Sequence, residues 1–549
     1  MNRSVSVLSR SFSLRGSGLL CGLLLALGTL SLTSCATRYY KLPTNNFAGR
    51  PTPPSLLQER VLVGITTNGT TTGELEILDG LRDLRSNIQF TKPTFSISGF
   101  SSGYPDLILN FPEESRGYAY SSGSLTTINY GTEAASGSAA NLPASSTAIA
   151  IPPTFTRIYS AEPTAGWLVL VDNTTGATYP LNLPNVNQVV ANSGDTVALA
   201  FVQNSNSVYR IFKLSLNSPS ATGLPTSATA QYQTAVAAIQ ATGAVDCEPY
   251  NLPVYCVVPV PGNFDRPSNA YFSLDGTTAY VLNSGPELGG TTASVSVIPQ
   301  SQLVNTLYVT SPEAPSGYQT TPITATSPSP VTKQILTPGG VTTAISDGTT
   351  LYLAGQSQYV IGSNGASTGT ANPNNLFGGY MTTINQATNT VTAAYSISDG
   401  AHAQMIFADD NTLWIGASNC ANGVRQNLFA AGNTTQAANY NCLTMFNTST
   451  LTPQIVPAVN QAGAGVAAVP TLYPNTYQTD PYYYGNIGTP PVGAGIAWVQ
   501  NYHKIYTAYG GQIHSFNTTD GSERDNTNIT IQGTALTVVY MDALTNSAN

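Results

Sequence analysis

Charge is what this sequence has least of. Only 8% of its 549 residues are Asp, Glu, Lys or Arg, about a third of the usual share, which excludes a coiled coil and a highly charged disordered chain. Nineteen basic residues stand against 27 acidic ones and form no cluster, so nucleic acid and anionic lipid surfaces are excluded as expected partners. Histidine is nearly missing: His402, His503 and His514 are the whole supply. No His-x-His, His-Glu-x-x-His or Walker-type sequence occurs, so no metal or cofactor is expected. What remains in quantity is Thr, Ser, Asn and Tyr, with 49 Gly and 36 Pro. Val, Ile, Thr and Tyr form strands, and Asn, Gly and Pro punctuate them, which points to an all-β chain of many short strands.

At the N-terminus Arg3, Arg10 and Arg15 precede an apolar run, Gly18 to Leu32, that ends in Leu32-Thr33-Ser34-Cys35. The run falls short of the about 20 residues a spanning helix needs. It reads as a signal peptide over residues 1–34, closed by a lipobox. The pattern resembles that of bacterial lipoproteins. That resemblance implies a lipid on Cys35 and, with Ala36 rather than Asp following it, an address in the outer membrane of a diderm bacterium. Residues 35–58, with Pro43, Pro51, Pro53 and Pro54, read as a flexible tether. Residues 59–549 form the folded domain.

Within that domain a hairpin recurs. Ala270-Tyr-Phe-Ser-Leu-Asp-Gly-Thr-Thr-Ala-Tyr-Val-Leu-Asn283 returns as Thr343-Ala-Ile-Ser-Asp-Gly-Thr-Thr-Leu-Tyr-Leu-Ala354 and, degenerate, as Met405 to Gly416. Asp275-Gly276 and Asp347-Gly348 supply the positive φ angles of a tight turn. A second signature follows each hairpin, an apolar strand ending in Asp or Asn: Leu75 to Asp79, Leu125 to Asn129, Leu168 to Asp172, Met381 to Asn385, Leu443 to Asn447 and Ile513 to Asn517. Units of about 40 to 50 residues with three or four strands are the period of a β-propeller. The count is seven or eight blades, depending on the segment 149–183. Thr534 to Met541 is left as one orphan strand, while Val61 to Leu78 begins in mid-blade. The two ends are therefore expected to share a blade and close the ring. Long inter-strand insertions, 131–146, 216–268, 301–340, 356–377 and 452–493, are expected on one face.

Tyr280-Val281-Leu282-Asn283 and Leu351-Tyr352-Leu353-Ala354 resemble the YVTN-type propeller repeat, which also occurs in lactonase-like proteins. The motif implies a fold and no chemistry. Besides Cys21 and Cys35, four cysteines remain in an oxidising compartment. Of three connectivities, Cys247 with Cys256 and Cys420 with Cys442 places each pair within one loop or one blade, and four buried thiols or a metal site are the alternative. His402, entering an innermost strand, is the candidate channel residue; His503, His514 and the turn acids Asp195, Asp275, Asp347, Asp409 and Asp410 read as structural. With no catalytic constellation assigned, the expected function is a noncatalytic binding or scaffolding module for protein or glycan. The Tyr-rich run 473–484 is a second binding candidate, and a lactonase-like or other envelope hydrolase acting in the channel is the alternative.

Overall fold

Each Asp-Gly hairpin closes through its own side chains. Asp275 Oδ1 accepts bonds from the Thr277 amide at 3.0 Å and the Ser273 hydroxyl at 2.6 Å, and Gly276 takes φ +72°. Asp347 Oδ1 does the same for the amides of Thr349 and Thr350, at 2.8 and 2.7 Å. The Asp or Asn ending each third strand starts a second kind of turn. Asp79, Asn129, Asp172, Asn385 and Asn447 each accept an amide bond from two or three residues ahead. The residue four places on then adopts positive φ: Asp83, Glu133, Gly176, Asn389 and Leu451. The recurring acid or amide is thus the acceptor that opens the turn from third to fourth strand.

The computed structural model describes residues 51–67, 72–83, 95–100, 103, 105, 107–215, 236–237, 240–241, 245–247, 254–308, 328–359, 376–398, 401–420, 440–456, 495–500, 502–508, 513–522, 524, 529, 531 and 533–543. For 215, 306–308, 357–359, 376–378, 418–420, 440–442 and 455–456 it describes the backbone alone. The signal segment, Cys35 and the Tyr-rich run lie outside the described residues.

The hairpins gather into eight sheets, the blades of a β-propeller, antiparallel except where Thr306–Tyr308 pairs in parallel with Val208–Ser215. Blades I to VII begin with the inner strands Leu107–Phe111, Ala148–Ala150, Val186–Ala191, Pro267–Phe272, Thr343–Ser346, Ala401–Ala408 and Ile496–Val499. Segment 148–182, on which the count of seven or eight turned, is a complete four-stranded sheet. In blade VIII, Thr534–Tyr540 pairs with Arg60–Thr66 in the register Val61↔Tyr540 and Leu62↔Val539, and Arg60–Thr66 pairs with Gly73–Asp79. The two ends of the described chain thus lie in one sheet. A buried ion network sits beside them. Arg60 Nη2 and Nε reach Asp542 Oδ1 at 2.7 and 3.0 Å, and Arg60 Nη1 reaches Glu133 Oε1 at 3.0 Å. Glu133 also accepts the Ser55 amide at 2.8 Å, and Leu57 is buried. Packing contacts therefore reach back into the stretch expected as tether.

Apolar residues fill every junction between blades. Tyr120 and Leu125 meet Ile149 and Ile158 between blades I and II, and Leu168 and Tyr179 meet Val189 and Ala200 between II and III. Separate clusters join III to IV, IV to V, V to VI, VII to VIII and VIII to I. Trp414 and Phe516 meet between VI and VII with ring centroids 6.2 Å apart. Each fully buried Val, Leu or Ile adds about 1.5–3 kcal/mol, so the junctions hold the blades together without a central core.

Strand polarity sorts the connections onto two faces. First-to-second and third-to-fourth turns emerge on one, here the turn face; second-to-third loops and inter-blade links emerge on the other, the crossover face. Segments 216–253 and 309–327 join third to fourth strands of blades III and IV, whereas 360–375 and 421–439 join second to third strands of V and VI. The insertions therefore leave from both faces, not one, because a blade accepts extra chain at any of its turns. The expected insertion at 131–146 largely forms the fourth strand of blade I, Ala134–Asn141.

Candidate functional site

A cleft of about 270 Å³ opens on the crossover face where blades III and IV meet. Asn187, at the start of the inner strand of blade III, and Pro267 and Ser268, starting that of blade IV, form the side toward the ring axis. The turn Val202–Ser205 forms a second wall, and Leu288 and Arg266 complete it. Asn204 and Arg266 have φ of +57° and +53°, a conformation that costs a side-chain-bearing residue about 1–3 kcal/mol and persists only where neighbours impose it. For Arg266 the neighbours are the Asn206 side chain, which accepts its amide at 3.1 Å, and the Ser284 amide, which donates to its carbonyl at 3.0 Å. Gly290 lets the next loop lie against this corner: a Cβ there would stand 2.1 Å from Asp265 Oδ1.

The carboxylates near the cleft accept hydrogen bonds from outside its lining, and Asp265 also feels the charge of Arg266. Asp265 Oδ2 accepts bonds from the amides of Thr291 and Thr292, at 2.7 and 2.6 Å, and from the Thr291 hydroxyl at 2.7 Å. Partial burial works against its charge, but these donors outweigh that and hold the carboxyl below its ordinary range. Glu287 accepts the Gln356 amide at 2.8 Å, and burial pushes its carboxyl up to about 7.

His402 sits at the start of the inner strand of blade VI, as expected, and is only 3% exposed. Its Nε2 bonds the Ser398 carbonyl at 2.8 Å, Nδ1 has no partner among the described residues, and burial holds the imidazole down to about 4. No carboxylate among the described residues bonds it. Three residues read singly as turn formers come together on the turn face. His503 Nδ1 lies 2.6 Å from Asp410 Oδ2 and 3.2 Å from Asp409 Oδ2. The Thr518 hydroxyl joins both carboxylates at 2.6 and 2.8 Å. One ligand atom from each of the three lies within 4.8 Å of the others, a donor set a divalent cation accepts. The bonds from blade VII residues to blade VI carboxylates also clasp the two blades.

Cys247 and Cys256 are bonded, as expected, and stand directly opposite on paired strands. The side chains of Cys420 and Cys442 lie outside the described residues.

No family model and no curated protein matches the chain. Solved structures do. Dihydro-heme d1 dehydrogenase NirN is 11% identical with a TM-score of 0.46, over 88% of this chain and 76% of that one. The C-terminal WD40 domain of Sif2 is 8% identical with a TM-score of 0.41, over 84% and 92%. A putative 6-phosphogluconolactonase from Bacteroides fragilis is 10% identical with a TM-score of 0.36, over 73% and 94%. At such distances these likenesses concern the fold and bring no activity with them.

Sequence reading passed over two features. The cleft is assembled from loop residues up to about a hundred positions apart, none belonging to a motif. Two Gly-x-Ser-x-Gly strings, 99–103 and 365–369, also occur where none was expected; Ser101 and Ser367 lie outside the described residues.

Proposed function

We propose that this chain is an exported lipoprotein, held to the outer membrane of a diderm bacterium by a lipid on Cys35, whose propeller acts as a noncatalytic binding module for an envelope glycan or protein. In the same reading it is a YVTN-type propeller whose ring is closed by the sheet that Thr534–Tyr540 shares with Arg60–Thr66. The observation that carries the binding role is the cleft between blades III and IV: concave, lined by both polar and apolar side chains, reached from two inner strands and bordered by backbone in imposed conformations. Cys35→Ala should abolish palmitate labelling and release or misprocess the protein. Retained labelling overturns the anchor.

A hydrolase is the second reading, and one cluster favours it. On the crossover face, Ser146 bonds the hydroxyl of Ser160, and Ser160 donates to Glu162 Oε1 at 3.2 Å. Burial pushes the Glu162 carboxyl up to about 7, a value suited to a general base near neutrality. Ester or lactone turnover that disappears in both Ser146→Ala and Glu162→Gln would establish this reading in place of the first.

A further inference from the structure

Arg266 is a cation whose nearest carboxylate, Asp265, acts on it through space and not through a close ion pair. It lines the cleft, and among the described residues its guanidinium forms no ion pair and no hydrogen bond. The chain around it is acidic, and the adjacent carboxylate, Asp265, is taken up by Thr291 and Thr292. Glu287, beside the lining residue Leu288, is tied to Gln356 across the blade junction. Both nearby acids thus give their hydrogen bonds to other partners, and Arg266, which Asp265 meets only through space, lines the cleft.

The rest of the wall is of a different kind. Among the described residues the side-chain amides of Asn187, Gln203 and Asn204 also have no partner; each offers both donors and an acceptor. Groups of that type match ligand hydroxyls, which donate and accept, better than a bare anion, which only accepts. Val202, Pro267 and Leu288 add an apolar strip. The volume of about 270 Å³ equals the share of about nine waters in the liquid, room for one sugar ring.

We propose that the cleft binds an acidic saccharide, a pyranose whose carboxylate pairs with the Arg266 guanidinium while its hydroxyls meet the Asn187, Gln203 and Asn204 amides and its C–H face lies on Leu288. The inference rests on the binding-module reading and narrows it to a ligand class. An arginine fork holds a carboxylate through two charge-assisted bonds, so loss of the guanidinium should weaken such a ligand about tenfold or more.

The test is titration calorimetry on the full lipoprotein in detergent, with D-glucuronate, D-glucose, acetate and a diaspartate peptide as probes. Glucuronate should bind at least about tenfold more tightly than glucose or acetate, weaken with added salt, and lose that advantage in Arg266→Gln while Arg266→Lys keeps part of it. The comparison of the four probes on wild-type protein decides the matter even if a variant fails to fold. Equal binding of glucuronate and glucose, equal binding of acetate, preference for the peptide, or no saccharide binding each overturns the proposal. A neutral glycan or protein captured equally well by wild type and Arg266→Gln overturns the proposal alone and leaves the binding module standing. Substrate turnover overturns both.

Discussion

Replacing Arg60 by methionine should destabilise the fold by about 3–5 kcal/mol, the usual consequence of removing one partner from a buried ionic network. The guanidinium is 6% exposed and its partners, Asp542 and Glu133, are 1% and 5% exposed. It donates to Asp542, to Glu133 and to the Tyr130 carbonyl at 2.5 Å. Methionine fills most of the volume but leaves two carboxylates buried without their cation. Melting entropy near 2.1 cal/mol/K per residue over roughly 490 residues is about 1 kcal/mol/K, so the melting temperature should fall by about 3–5 °C. Urea unfolding followed by fluorescence of the three tryptophans gives the free energy directly. A cycle with Asp542→Asn should show a coupling of about 1 kcal/mol or more, because Arg60 and Asp542 share two side-chain bonds. A loss below about 1 kcal/mol, or independent effects of the two substitutions, would refute the claim that this network ties the first strand to the last.

Three further outcomes follow from local structure. His402 is held down to about 4, so the unfolded chain takes up a proton below pH 6.5 that the folded chain refuses. Stability should fall by roughly 3 kcal/mol between pH 6.5 and pH 4, and urea midpoints at pH 7 and pH 4.5 should show that loss shrinking in His402→Gln. Leu451 adopts φ +58° at a turn while 48% exposed, so Leu451→Gly should raise stability by about 0.5–1 kcal/mol in the same assay; a lower midpoint contradicts the strain. Cys247→Ser opens a short cross-strand link and should cost about 2–3 kcal/mol, read as the difference from wild type under non-reducing conditions.

Local chemistry was the legible part of this fold. Asp-Gly pairs and the Asp or Asn ending each third strand act on amides two or three residues away, so their role is written in adjacent positions. The orphan strand at Thr534 was equally readable, because its partner at Arg60–Thr66 lacked a first strand of its own. Contacts made only when blades assemble were not readable. His503 meets Asp410 across 93 residues, and Arg266 joins Asn187 and Gln203 from separate blades; nothing in any one segment marks those residues. The expectation that the insertions share one face failed for the same reason, since the face depends on which pair of strands the extra chain connects.

Binding at the cleft between blades III and IV is tested most directly by presenting arrayed envelope glycans and outer-membrane proteins to the full lipoprotein and to its Arg266→Gln/Asn187→Leu variant, with melting curves confirming that both are folded. The binding-module account predicts captured ligands on wild type that the variant loses, recovered chemically unchanged. Undiminished capture by the folded variant would contradict binding at this cleft, and ligands returned hydrolysed would contradict the binding module itself.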